Sequence, residues 1–356
     1  MVSERVSLRV VTKPAGRSGR LVNDGWGEQA LGMEKAGAVG RRAFLGGSLA
    51  VGTMLASGAG AMGGKLELEK ALADALTETK APGMGAMILG PGGRVDALAV
   101  AGARVFGRPD KVQPSDQWHL GSNTKAMTAV VAAHLAERGG VGLDVAVAGL
   151  VADANDAWKR ITLADLLAHR AGLRDAAVLG PTWLLKARMD QRPVRDQRAE
   201  LLRQVVSAAP SATPGSFVYG NLNYMVAAAL LEAKQGKSWE ELIAAEVLSP
   251  LKMESAGLGA PVGQQPWGHM QLPDGTILPL DPAGVADNPT AMGPAGGVHA
   301  SLADYARFLG LFLGGHGSFL SAQSLARLTR VPAGQAYGLG WGVIAEAPWA
   351  RGRVLA

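Results

Sequence analysis

The sequence predicts an α/β protein of the α+β type, in which a mainly antiparallel sheet is flanked by helices and interrupted by an inserted helical domain. An early β-hairpin, a long helix-rich middle and a late return to strand patterns support this prediction. Strands and helices that are segregated along the chain are typical of such folds. With 356 residues, of which 48% are hydrophobic, the chain is long enough to bury a sizeable core.

The first predicted elements are a helix and a hairpin. Apolar residues recur with a helical period over residues 66–78. Residues 85–89 and 94–100 form two apolar, strand-like runs, and the sequence Gly-Pro-Gly-Gly between them is typical of a turn. We therefore expect the two runs to pair as a hairpin.

The later elements are predicted from periodicity, capping residues and glycine or proline content. Helices are expected from Ser122 to about residue 138, over 162–167, 195–209 and 223–233, after 238, and over 301–313 and 321–328. Non-helical structure is expected as an irregular lead-in at 118–121, as loop with short strands at 259–296, and as a strand at 337–344.

The charge of the chain is concentrated at its start. Eight of the 35 Lys and Arg residues and four of the 30 Asp and Glu residues lie in residues 1–42, which leaves 27 basic and 26 acidic residues elsewhere. A nucleic-acid-binding surface needs a basic excess in the folded part of the chain, and this balance does not supply one. No nucleic-acid partner is expected.

The first 61 residues have the layout of an export signal. Arg41 and Arg42 precede an uncharged, weakly apolar run that is rich in Gly and Ala and closes on small residues at 59–61. This pattern is typical of a cleaved twin-arginine signal and predicts a periplasmic or secreted protein. The alternative is an uncleaved membrane anchor, although the many glycines make a poor lipid-facing helix. A start at Met33 instead of Met1 would give a signal of ordinary length.

Several other kinds of site are excluded by the sequence. Cysteine is absent, so disulfides, thiolate metal sites and a cysteine nucleophile are excluded. The six histidines show no metal-type spacing, and we expect neither a metal nor a cofactor. The Gly-Lys-Ser sequence at 236–238 lacks the first glycine of a phosphate-binding loop and follows a helix. No Gly-x-Ser-x-Gly elbow of an α/β-hydrolase occurs.

The tetrad Ser122-Asn123-Thr124-Lys125 is the main candidate for catalytic chemistry. Ser122 and Lys125 lie three residues apart at a predicted helix start, so their side chains share one helical face. The helix dipole favours negative charge that develops there, and a lysine can take the proton of a serine nucleophile. A second tetrad, at 249–252, precedes no apolar helix. An isolated tetrad is more often a helix cap beside a solvated lysine, so the wider context must decide.

Five stretches of the chain occur in the order that is typical of one enzyme family. They are the Gly-Ser-Asn-Thr-Lys sequence at 121–125, residues 161–173, residues 214–221 with their Tyr-Gly-Asn ending, residues 250–253 and residues 294–301. With these stretches the chain resembles the class C β-lactamase and serine-type D-Ala-D-Ala carboxypeptidase family, which includes related esterases. The resemblance covers roughly residues 66–356 and implies a β-lactamase/transpeptidase-like fold.

The resemblance implies an exported serine hydrolase with an acyl-enzyme mechanism. By this likeness Ser122 is the acylated nucleophile, Lys125 holds or shuttles its proton, and Tyr219 is the second general acid/base. Asn221 is a donor to the substrate amide. The implied substrate is a β-lactam, a D-Ala-D-Ala peptide or a small ester. The alternative interpretations are a core aromatic residue for Tyr219 and a turn residue for Asn221.

One motif of the family is missing. A late strand should carry Lys or His, then Thr or Ser, then Gly, whereas the partial matches at 234–236 and 316–318 are predicted at a helix end and in a loop. We therefore expect a truncated chain that lacks the C-terminal strands and one oxyanion-hole donor. Loss of such a donor typically costs about 10²- to 10³-fold in rate. The alternative function is a catalytically incomplete relative that binds peptidoglycan-like ligands without turnover.

The resemblance also divides the chain into two parts. Residues 1–61 are the predicted extension and signal, and residues 62–356 are the predicted β-lactamase-related serine hydrolase domain. Its sheet part is expected at about 66–117 and 258–356, and its helical part at about 118–257. A membrane contact is expected only through the signal or a retained anchor, and nothing in the sequence indicates an oligomeric state.

Overall fold

The computed structural model describes residues 61–284, 287–315, 317–344 and 354–355. The predicted signal, the alternative start at Met33 and His316 lie outside these residues. The α-helices are α1 (Ala61–Thr79), α2 (Thr124–Glu137), α3 (Leu163–Leu167), α4 (Pro181–Met189), α5 (Val194–Val206), α6 (Asn221–Gln235), α7 (Trp239–Ile243), α8 (Gly293–Gly296), α9 (Leu302–Gly310) and α10 (Ala322–Leu328). The strands are β1 (Gly83–Leu89), β2 (Val95–Gly102), β3 (Gln117–His119), β4 (Gly257–Leu258), β5 (Gly268–Gln271), β6 (Ile277–Leu280), β7 (Val298–Ser301), β8 (Val343–Ile344) and β9 (Val354–Leu355). None of the described helices is long and apolar enough to cross a bilayer.

The predicted hairpin is confirmed. β1 and β2 pair antiparallel from Gly83 opposite Gly102 to Ile88 opposite Ala97, and an irregularity follows at the turn. Helix α1 packs on this hairpin, and Leu72 is buried with Met84 in a small core of its own. The helix, the turn and the two strands therefore form a unit that the local sequence pattern specifies.

A second, three-stranded sheet leads into the main core. Its strand order is β3-β7-β4, and both pairings are antiparallel. The predicted irregular lead-in at 118–121 is wrong in part, because Trp118 and His119 belong to β3. Three residues are too few to show the alternation that identifies a strand in a sequence. Since Leu120 donates to Val298 O at 2.9 Å, this sheet fixes the chain just before α2.

Helices α2 and α6 form the centre of the main core. Nearly every residue of α2 is buried, and α6 is buried without interruption from Leu222 to Glu232. A helix that is apolar around its whole circumference is a core helix rather than a surface one. The two helices contact each other, and α3, α5, α7 and α8 pack against α6. The polar residues Thr124, Lys125 and Thr128 of α2 therefore lie inside the protein.

The predicted helix caps are confirmed. Thr162 with Asp165 and Ser238 with Glu241 form complete capping boxes at the starts of α3 and α7. Ser301 accepts a hydrogen bond at the start of α9. These caps are local, so sequence spacing alone identifies them.

Helix α4 and the predicted strand at 337–344 also differ from the sequence prediction. Helix α4 was not predicted, because none of its residues is fully buried and its apolar residues show no clear helical period. The predicted strand at 337–344 is wrong for most of its length: the chain makes a turn closed by Tyr337 and Gly342, and only Val343 and Ile344 are in a strand. Gly340 allows this turn, because it has a φ of +84° and a Cβ there would lie 2.7 Å from Ala126 Cα. The turn thus packs directly on α2.

Candidate active site

The structure brings Ser122 and Lys125 into contact. A 3₁₀ turn, Gly121–Asn123, precedes α2, and Lys125 is the second residue of the helix. Lys125 Nζ donates to Ser122 Oγ at 3.1 Å. Gly121 has a φ of +53°, a conformation that a glycine adopts without strain. The structure thus confirms the prediction that the two side chains lie on the same face at the start of the helix.

The ammonium group of Lys125 is held at three points. Its side chain is fully buried, and Nζ also donates to Asn221 Oδ1 at 2.9 Å and to Ala295 O at 2.7 Å. A backbone carbonyl only accepts, and the amide of Asn221 is assigned with its oxygen toward Nζ. Two N–H groups are therefore fixed by acceptors, and the third position of the nitrogen points at Ser122 Oγ.

The segment that contains Ala295 is itself fixed on α2. Thr128 Oγ1 donates to Pro294 O at 2.8 Å, and Trp239 Nε1 donates to Thr128 Oγ1 at 3.1 Å. Val298 N donates to Thr124 Oγ1 at 3.1 Å. The carbonyl of Ala295 could not be predicted, because a backbone oxygen leaves no signature of its own in a sequence.

Tyr219 lies beside Lys125, with its ring toward the amine. Lys125 Nζ is 5.0 Å from the ring centroid of Tyr219 and 5.6 Å from that of the buried Tyr224. Such distances are typical of cation–π contacts. Tyr219 is 47% exposed, and its hydroxyl makes no hydrogen bond to another described residue. The structure therefore places Tyr219 at the site, and its role as an acid or base stays a prediction.

Asn221 is positioned by a carboxylate from another loop. It is the first residue of α6, and its backbone N–H donates to Asp175 Oδ2 at 2.9 Å, while Leu222 N donates to Asp175 Oδ1 at 2.8 Å. Asp175 thus satisfies two of the N–H groups that a helix start leaves unpaired. The capping role of Asp175 could not be predicted from sequence spacing, because Asp175 caps a helix that starts 46 residues later.

Asp175→Ala is expected to lower the free energy of unfolding by about 0.5–2 kcal/mol, since the substitution removes the cap of α6. Urea denaturation measures this change. Asp156, whose side chain is 84% exposed, provides the matched control Asp156→Ala, for which we expect little change. Equal stability of Asp175→Ala and the unmodified protein would contradict the assigned capping role.

His119 supports the turn that carries Ser122. Gly121 N donates to His119 Nδ1 at 3.1 Å, and His119 Nε2 lies 3.3 Å from Asp287 Oδ1. Burial alone would raise the pKa of Asp287, but its contacts with His119 and with backbone N–H groups lower it overall. The carboxylate is thereby favoured and keeps the imidazole oriented.

The second tetrad shows what the first has in addition. Ser249 and Lys252 are both exposed, and no hydrogen bond joins their side chains among the described residues. Lys252 has a φ of +54°, so it has already left the helix. The two tetrads share their spacing and an exposed serine, but only the lysine of the first is buried and donates to fixed acceptors.

Known proteins share this fold. A solved penicillin-binding protein homologue from Pyrococcus abyssi has a TM-score of 0.63 at 24% identity, covering 78% of this chain and 64% of that one. A D-amino acid amidase from Ochrobactrum anthropi SV3 has a TM-score of 0.62 at 19% identity, and the match covers 78% of this chain and 79% of the amidase. EstCE1, described as a hydrolase with promiscuous acyltransferase activity, has a TM-score of 0.62 at 20% identity. The match covers 81% of this chain and 84% of EstCE1. This chain thus spans less than two thirds of the length of the Pyrococcus protein.

A family model agrees with the structural likeness. The model described as Beta-lactamase matches residues 68–348, which is most of the chain. The matched range contains the 3₁₀ turn with Ser122, the whole of α2 and the start of α6. The chain belongs to the beta-lactamase family.

Proposed function

We propose that this chain hydrolyses a β-lactam, a D-Ala-D-Ala peptide or a small ester through an acyl-enzyme formed on Ser122, after twin-arginine export. One observation carries the proposal: Lys125 Nζ is buried, lies 3.1 Å from Ser122 Oγ, and has its other contacts taken by two carbonyl oxygens. An amine that gives up one proton keeps its two donated hydrogen bonds and turns its lone pair to the serine. That is the arrangement a general base needs.

In the acylation step, Ser122 Oγ forms a bond to the substrate carbonyl carbon. Its proton moves to Lys125 Nζ, and the carbonyl π electrons move onto the substrate oxygen. When this intermediate collapses, the bond to the leaving group breaks and the leaving group takes a proton. Lys125 supplies that proton, with the hydroxyl of Tyr219 as the second group on the path. Water then repeats the sequence on the ester and releases Ser122.

The start of α2 stabilises the negative charge that develops on the substrate oxygen. The first N–H groups of a helix have no partner inside it, and the helix dipole adds a partial positive charge at the same end. The N–H of Ser122 lies in the 3₁₀ turn directly before α2 and supplies one oxyanion-hole donor. Such a donor is typically worth about 10²- to 10³-fold in rate.

The similar solved proteins support a carbonyl substrate of this kind. Their descriptions name a penicillin-binding protein homologue, an amidase of D-amino acids and a hydrolase with acyltransferase activity. All three descriptions are compatible with transfer of an acyl group. An ester, an amide and a lactam differ in the leaving group, so a common acyl-enzyme step serves all three.

Pre-steady-state hydrolysis tests the proposal. The purified protein is mixed with p-nitrophenyl acetate, nitrocefin or a D-alanine p-nitroanilide, and product is followed from the first milliseconds. We expect at least one substrate to give a burst that matches the enzyme concentration and is absent in Ser122→Ala. The exposed Ser249→Ala is the control and should keep the burst. Absence of turnover on every substrate, or a burst that survives Ser122→Ala, would refute the proposal.

A further inference from the structure

His169 is a buried residue that the proposed mechanism does not use. It follows α3, is fully buried and has a φ of +58°. A non-glycine residue in this left-handed region is uncommon, and histidine, asparagine and aspartate are enriched there. The backbone conformation at position 169 therefore favours histidine, asparagine or aspartate among the non-glycine residues.

The residue contacts the turn that carries Tyr219 and Asn221. Val218 N donates to His169 O at 2.8 Å, and Gly220 N donates to the ring nitrogen Nδ1 at 3.3 Å. Both bonds come from the two residues that flank Tyr219. Because Nδ1 accepts, the proton of a neutral imidazole lies on Nε2, which has no hydrogen-bond partner among the residues that the structure describes.

Aromatic rings surround the imidazole on the side of the site. The ring centroids of Tyr219, Tyr337 and Tyr224 lie 4.4, 4.9 and 5.2 Å from that of His169. Phe217 makes an edge-on contact at 5.9 Å. The ring of Tyr219 thus touches His169, and it also lies 5.0 Å from Lys125 Nζ.

The charge of Lys125 favours a neutral His169. Burial, together with the positive charge of Lys125, lowers the pKa of His169 well below its ordinary value. A neutral ring keeps the lone pair of Nδ1 available for Gly220. A protonated ring would lose that acceptor and would place a second positive charge in the aromatic cluster.

We propose that His169 is a positioning residue: through its neutral Nδ1 and its ring it holds the Tyr219-Gly220-Asn221 turn against Lys125. This inference rests on the proposed function, because the turn matters for catalysis only if Ser122 is acylated. His169 touches no reacting atom. It acts through Asn221, which binds Lys125, and through Tyr219, which packs on Lys125.

Two variants separate the contributions of His169. His169→Phe keeps an aromatic ring and removes the acceptor of the Gly220 N–H. His169→Asn keeps an acceptor close to the position of Nδ1 and tolerates the positive φ. Leu72→Ala, in the separate core under the hairpin, is a control that destabilises the protein away from the site.

Amide hydrogen exchange at Gly220 reports on the turn without requiring turnover. We expect exchange in His169→Phe to be about three- to tenfold faster than in the unmodified protein, as for loss of one hydrogen bond, and close to unmodified in His169→Asn. Leu72→Ala should leave it unchanged. Unchanged exchange in His169→Phe, or an NMR signal showing a proton on Nδ1 of the unmodified protein, would overturn the inference.

Labelling with a fluorophosphonate reports on catalysis in the same variants. The maximal labelling rate constant should fall about tenfold or more in His169→Phe, with a smaller change in half-saturating probe concentration, because a misplaced catalytic group affects chemistry more than binding. His169→Asn should restore most of the rate. Equal losses in His169→Phe and Leu72→Ala would contradict a positioning role. Absence of labelling in the unmodified protein would refute the proposed function, while Gly220 exchange would still decide whether His169 holds the turn.

Discussion

Lys125→Met is expected to lower the rate constant for acylation of Ser122 by about 10²- to 10⁴-fold, the usual contribution of a general base. Methionine has nearly the length of lysine and fills the same buried space, but it takes no proton. The variant also leaves Asn221 Oδ1 and Ala295 O without their shared donor. Stopped-flow measurement of the acylation burst, together with circular dichroism to verify folding, gives the result.

The chain supplies a matched control for this experiment in the second tetrad. Lys252 has the same spacing from Ser249 that Lys125 has from Ser122, but it is exposed, and its Nζ donates to no carbonyl of a residue that the structure describes. Lys252→Met should therefore leave the acylation rate unchanged. A folded Lys125→Met protein that acylates as fast as the unmodified one would eliminate Lys125 as the base.

Arg198→Met is expected to lower the free energy of unfolding by about 3–5 kcal/mol, the usual cost of removing one partner of a buried ion pair. Arg198 is fully buried and donates from Nε and Nη2 to Glu232 Oε1, at 3.0 and 2.5 Å, and it also binds Glu240. Trp239 N donates to the same oxygen of Glu232 at 2.7 Å. The substitution would therefore leave a buried carboxylate without its counter-ion at the junction of α5, α6 and α7.

The pH dependence gives this prediction a second readout. Burial raises the pKa of Glu232 even beside Arg198. Without Arg198 the protonated form is favoured further, and a neutral carboxylic acid costs less to bury than a carboxylate. The destabilisation of Arg198→Met should thus be smaller at about pH 5 than at about pH 8. Urea denaturation at both pH values measures the difference.

Arg192 offers the corresponding surface control. Its side chain is 55% exposed and pairs with Glu200, which is 56% exposed, and with Asp190, which is 19% exposed. Solvent therefore reaches the guanidinium and screens both interactions. Arg192→Met should leave the urea midpoint nearly unchanged at both pH values. Comparable losses in Arg192→Met and Arg198→Met would show that burial of the network is not what stabilises it.

Sequence patterns predicted the features of this fold that depend on neighbours in the chain. The hairpin of β1 and β2, the capping boxes at Thr162 and Ser238, and the helical placement of Ser122 and Lys125 all involve residues within a few positions of each other. The strand β3 and the turn at 337–342 were misjudged, because their conformation depends on pairing or packing with distant segments.

The candidate site could be predicted only in part, for the same reason. The spacing of a Ser-x-x-Lys tetrad is identical at 122 and at 249, and both serines are exposed. The two tetrads differ in the lysine, because Lys125 is buried between α6 and the Ala295 segment and Lys252 is exposed. The groups that hold the first tetrad in place are far away in sequence: Asp175 as a remote cap, His169 under Tyr219, and a backbone carbonyl at Ala295. Each acts through a tertiary contact that has no local pattern.

Covalent labelling followed by peptide mapping shows directly which serine is the nucleophile. The protein is treated with a fluorophosphonate, digested, and analysed by mass spectrometry to locate the adduct. If Ser122 is the nucleophile, we expect one adduct per molecule, on Ser122, and none in Ser122→Ala. An adduct on Ser249, or undiminished labelling of Ser122→Ala, would contradict the assignment of Ser122 as the nucleophile.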